Sequence, residues 1–300
     1  MILALGALGL LLLMMPALVV RWSRRLRPAD WTRVAVIALG AGVATVLGTL
    51  SLAATPAVAW LADAPTVADQ CRGVLAPLAT DPTMLSWAAA GLVVVMLVRL
   101  GSGVRRALMR ARRARVEPWL GEHHDEGDYE LVMLPTPEVV AFGVPGRPPQ
   151  VVVSTGLVDS LGSEQTAAVI AHEVAHHRLR HARIVAMLAG IERAFAWFAP
   201  ARRSIEEART AIEASADCAA GGDTTSRRSL HAALSCIARS TWHADQRLTR
   251  LRTRMPPGAP FARFAFYAPV GLLVITVLML MAGWVSDAHH AVALGASCEH

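Results

Sequence analysis

The chain has 300 residues and a mass of 32.0 kDa, with 54% hydrophobic residues, 17% charged residues and a mean hydropathy of +0.42. Soluble domains carry about 25% charged residues, so this composition excludes a disordered chain, a collagen-like chain and a disulfide-dense scaffold, and leaves a membrane protein with a smaller soluble part. All 29 basic residues are Arg and the net charge is +6, a balance that raises nucleic acid as a partner until the Arg positions are considered.

Four stretches lack charge over a membrane-spanning length: Met1–Val20, Val34–Ala62, Pro82–Val98 and Phe264–Ser286. The first has no basic residue before its apolar run and no small-residue cleavage pattern before Arg21, so it reads as an uncleaved anchor rather than a signal peptide. The second contains Pro56 and is expected to end near Thr55 or to continue tilted. A fifth apolar run, Ile184–Ile191, is too short to span, and reads as buried core or as a helix lying at the interface. Arg21, Arg24, Arg25, Arg27 and Arg33 separate the first two segments, and Arg99, Arg105, Arg106, Arg110, Arg112, Arg113 and Arg115 follow the third. The positive-inside rule then places residues 21–33 and 99–263 in the cytosol. The Arg run at 105–115 has no interleaved aromatics, so its expected partner is anionic lipid and not nucleic acid.

Residues 101–262 form the one sizeable soluble region, between three membrane helices in 1–100 and a fourth helix with a short external tail in 263–300. Residues 101–115 read as helix and 121–128 as a polar loop. Strands are expected at Tyr129–Leu134, Pro137–Phe142 and Gln150–Ser154, divided by Pro and Gly turns. Ser163 is a plausible N-cap for a helix reaching about His181, and further helices are expected at about Arg202–Ala220 and Ser226–Leu251. The fold class is therefore α+β: a polytopic helical membrane protein with a small cytosolic domain.

His172-Glu173-Val174-Ala175-His176 places two imidazoles one turn apart on one helix face. With 11 His and 12 Glu, chance produces this pattern in roughly one or two such chains per hundred. Two neutral ring nitrogens can hold zinc, and Glu173 can reach a water in the open position as general base. The alternative is a helix with surface His residues. Zinc needs a third ligand, and His177, His181, Glu213, Asp217, His231 and His243 are the candidates in the domain. His177 falls on the wrong face, and His181, five residues from His176, is rotated about 140° out of line. Glu213 and Asp217 lie one turn apart in a segment of mostly small and apolar residues. They suit a metal ligand and a second carboxylate that supports a ligand His, against the reading as two solvated carboxylates. Cys218 would be a ligand only if Glu213 were not. His123 and His124 read as solvated loop residues.

The H-E-V-A-H motif, the downstream E-A-S-A-D, the strands before the motif and the flanking apolar segments resemble the gluzincin membrane metallopeptidases, nearest the BlaR/MecR-type antibiotic-sensor group. The resemblance implies zinc held by His172, His176 and Glu213, with Glu173 catalytic and Asp217 supporting the site. Where the antibiotic sensors carry an external penicillin-binding domain, 14 residues follow the fourth segment here, so β-lactam sensing is not implied. The related HtpX-like peptidases often carry a downstream His that supports the oxyanion. Ser240-Thr241-Trp242-His243 is one residue out of step with that pattern, and makes His243 a candidate.

The expected function is an integral-membrane zinc endopeptidase acting on a protein or peptide substrate, either a cytosolic regulator such as a transcriptional repressor or a membrane protein. Housekeeping proteolysis of the HtpX kind and a non-catalytic membrane receptor with a structural zinc are the alternatives, and Glu173 counts against the last. Cys71 and Cys298 both fall outside the membrane, where a disulfide between them would tether the last helix to the first three.

Overall fold

The computed structural model describes residues 2–20, 26–63, 68–69, 72, 75, 81–117, 120–222 and 224–237. The expected fourth membrane segment, His243, Cys71 and Cys298 lie outside the described residues.

Three apolar helices come first: α1 (Ile2–Leu18), α2 (Pro28–Leu61) and α3 (Pro82–Arg113). The latter two are long and apolar enough to cross a bilayer, and the 17 residues of α1 fall just short of that length. Pro28 opens α2, where its missing N–H is not needed, and Asp30 sits in the first turn. The helix does not stop at Pro56 but runs through it. A neighbour supplies a partner at the break: the Ala57 N–H donates to Ser86 Oγ of α3 at 2.8 Å, a bond that also fastens the two helices together. Asp81 caps α3, accepting from the N–H groups of Thr83 and Met84 at 2.9 and 3.1 Å. The two helices expected at 82–98 and 101–115 are one continuous rod of 32 residues, about 48 Å long, running through the expected domain boundary at residue 100. Nothing in its sequence interrupts it, because Gly101 and Gly103 cost little within an otherwise strong helix.

A four-stranded sheet follows: β1 (Glu122–Asp125), β2 (Glu130–Leu134), β3 (Ala141–Val144) and β4 (Gln150–Ser154), in the order β1-β2-β4-β3. β2 and β4 are parallel at the centre, and the two outer strands run antiparallel to them. β4 is buried along its whole length. β1 corrects the polar-loop reading of 121–128. An edge strand needs apolar residues on neither face when its partner supplies the ladder, and His123 is paired across to Val132. β3 starts at Ala141, not at Pro137. Proline has no N–H for the ladder, and Val140 instead donates to Ser154 Oγ at 3.0 Å.

The helices after the sheet are α4 (Thr155–Ser160), α5 (Ser163–Arg178), α6 (His181–Ala194), α7 (Ala199–Ala220) and α8 (Thr224–Ile237). Gly162, not Ser163, is the cap residue of α5, and the Gln165 side chain accepts the Gly162 N–H at 3.2 Å. Arg180 between α5 and α6 adopts the left-handed conformation, with φ 56°, which reverses the chain within two residues. The apolar run 184–191 contributes to the core on one face, while Val185 is exposed. Leu188 and Ile191 are buried in one cluster with Leu13, Leu39 and Met96 of the apolar helices and Ile205 and Ile212 of α7. At the α3–α6 crossing the backbones touch. A Cβ at Gly103 would stand 2.6 Å from the Ala189 carbonyl oxygen, and one at Gly190 would stand 2.9 Å from that of Leu100. Two side-chain bonds continue the seam, from Arg99 Nε to the Arg193 carbonyl at 2.9 Å and from Arg193 Nε to Ser102 Oγ at 2.8 Å.

Candidate metal centre

α5 carries His172 and His176 on one face, and α7 crosses it carrying Glu213 and Asp217. The packing of α7 against α5 brings both carboxylates within reach of the imidazoles, while Ala208 and Ala211 on the other side of α7 pack against the apolar helices. His172 Nε2 and His176 Nε2 are 3.1 Å apart. Glu213 faces both, with its carboxylate oxygens 3.6 Å from His172 Nε2 and 3.7 Å from His176 Nε2. The three donor atoms lie within 4.8 Å of one another. Two ligand nitrogens on one tetrahedral zinc stand about 3.4 Å apart, close to the spacing of the two imidazole nitrogens here. Asp217 is buried, and its Oδ1 is 3.0 Å from His172 Nδ1. A carboxylate at this place favours the tautomer that keeps its proton on Nδ1 and leaves Nε2 bare and turned to Glu213, the state in which an imidazole binds a metal. The donor set thus suits a divalent cation, with Glu213 as third donor.

Other candidates take other places. Cys218, His231 and His177 are not in the donor cluster. His177 bonds the Gln150 carbonyl of β4 at 3.1 Å, and burial holds its pKa below the ordinary imidazole value. Burial raises the Cys218 thiol pKa, which keeps it a poor nucleophile. His123 is not solvated. Its Nδ1 lies 2.7 Å from Glu130 Oε1, and Glu130 also accepts from the Gln150 side chain at 2.8 Å. His124 is exposed, as expected for the loop reading.

Glu173 lies on the flank of α5 that faces β3. A Cβ at Gly143 would stand 3.3 Å from Glu173 Oε2 and 2.7 Å from His177 Nε2, so glycine leaves the room that these two side chains occupy. The carboxylate therefore lies against β3, which among the described residues is an edge strand of the sheet.

Sequence spacing excluded His181 as a metal ligand, and it is not among the three donors, but it lies beside the site and not away from it. The left-handed turn at Arg180 starts a new helix and brings His181 back beneath His176, where the ring nitrogens Nδ1 and Nδ1 are 3.1 Å apart. Burial depresses the His181 pKa to about 4; the Glu213 carboxylate opposes the shift and His172 adds to it.

No curated protein and no solved structure matches the chain significantly. Residues 113–240, which hold the sheet, both crossing helices and all three metal donors, match the family model of peptidase family M48, and this match supports a metallopeptidase domain over that part of the chain.

Proposed function

We propose that the protein is an integral-membrane zinc endopeptidase whose site faces the cytosol, cleaving a cytosolic regulator or a membrane protein segment. The observation that carries the reading is the convergence of His172, His176 and Glu213 within 4.8 Å, with Glu173 beside the free edge of β3. The M48 match and the two apolar helices of spanning length support it. The Arg residues that follow the third apolar segment support the cytosolic orientation, and the resemblance to the antibiotic-sensor peptidases supports the same placement.

When bound, zinc supplies Lewis acidity, which polarises the scissile carbonyl and acidifies a water. His172, His176 and Glu213 hold it, and Asp217 keeps the His172 ring in the ligating tautomer. The substrate main chain lies along the outer edge of β3, hydrogen-bonded as an added strand. β4, the other strand considered for this role, is paired on both sides and has no edge to offer. Glu173 takes the proton of the attacking water and passes it to the leaving amine. Glu173→Gln removes only the proton carrier. It should keep wild-type zinc content and lose proteolysis of a reporter substrate by about 100-fold or more, the span of general-base losses. Unchanged peptidase activity in Glu173→Gln refutes the mechanism. The same variant, inactive but able to bind, should retain the natural substrate for identification.

A further inference from the structure

We infer that His181, backed by Ser215, is the positioning residue that holds the His176 imidazole in its metal-binding tautomer. The inference rests on the reading of His172, His176 and Glu213 as metal ligands. His172 has Asp217 at its Nδ1, whereas the Nδ1 of His176 meets a third imidazole. The direction of the hydrogen bonds decides what that imidazole does. The Ser215 hydroxyl donates to the Ile212 carbonyl at 2.9 Å. A hydroxyl has one proton, so toward His181 Nε2, at 3.1 Å, Ser215 can only accept. His181 Nε2 therefore carries the ring proton and its Nδ1 offers a lone pair. Across the 3.1 Å gap the proton must then belong to His176 Nδ1. His176 Nε2 is left bare, and it is the atom that faces His172 Nε2 and Glu213.

The reverse direction would place a proton on His176 Nε2 and block ligation. The chain ends on a main-chain carbonyl of α7, the helix that also carries Glu213 and Asp217. One helix thus orients both imidazoles of α5, one through a carboxylate and the other through a neutral relay. The relay adds no second negative charge beside Glu213, and it depends on the left-handed turn at Arg180 that returns His181 to the site.

The test uses the full chain in detergent, with zinc affinity measured by chelator competition and ligand geometry read from the visible spectrum of the cobalt-substituted protein. His181→Ala should weaken zinc about 10–100-fold, as losses of a ligand's supporting partner do, and shift the cobalt bands. His181→Asn places an acceptor oxygen near the former Nδ1 and should restore most of the affinity. Ser215→Ala should weaken zinc in the same direction, because the ring proton of His181 loses its acceptor. His181→Ala with wild-type affinity and spectrum overturns the inference, as does His181→Asn no better than His181→Ala. Wild-type protein that takes up no metal overturns the reading of the site itself, and is thereby distinguished from failure of the relay alone.

Discussion

Removing the Asp217 carboxylate isolates the other arm of the site. In the apo protein of an Asp217→Ala variant, His172 can avoid an orphaned donor by moving its proton to Nε2. Metal binding closes that escape, because Nε2 must then be bare and Nδ1 must carry the proton. Nδ1 is buried, and the Asp217 carboxylate lies 3.0 Å from it. The cost of an unsatisfied buried donor, about 1–3 kcal/mol, therefore falls on the metal-bound state. At about 1.4 kcal/mol per decade it corresponds to a loss of roughly 5–150-fold in affinity, in line with the about 10–100-fold seen when such partners are removed. Asp217→Asn keeps an acceptor oxygen and should lose less than Asp217→Ala. Competition with a chromophoric chelator at constant pH measures both. Affinity unchanged in Asp217→Ala refutes the argument. Equal losses in the two variants show that charge, and not the hydrogen bond, carries the effect.

Two further outcomes follow from the packing and the sheet. Gly103→Val forces the α3–α6 backbones apart, since even the first carbon would stand 2.6 Å from the Ala189 carbonyl oxygen. The overpacking cost of about 1–3 kcal/mol should lower the thermal midpoint in detergent by several degrees, and an unchanged midpoint refutes the close crossing. Glu130 has its pKa lowered by hydrogen bonds from Gln150 and His123. Its stabilising contribution is therefore full above the ordinary carboxylate range and is lost as pH falls through the depressed folded-state value. Glu130→Gln should flatten that acid limb of the stability profile and leave the neutral plateau little changed, and a profile parallel to wild type refutes the role.

What was legible in the sequence was whatever depends on short spacing. Four residues bring His172 and His176 to one helix face and Glu213 and Asp217 to another, because the α-helix repeats every 3.6 residues. Runs of apolar residues of spanning length identified α2 and α3 for the same local reason. The β-branched run in 150–154 marked a strand, but its place at the centre of the sheet, paired on both sides, is a tertiary fact. So is β1, whose polar sequence carries no strand pattern and whose ladder depends on β2. Spacing alone excluded His181, since five residues of continuous helix point it away from His176. The fold overrides that arithmetic with one left-handed residue at Arg180, and sequence does not announce such a residue when it is not glycine. The tertiary structure also decided that β3 lies beside Glu173, whose carboxylate occupies space left over Gly143. A helix fixes the directions of its own side chains. Only packing between helices brings two such sets within ligand distance of one another.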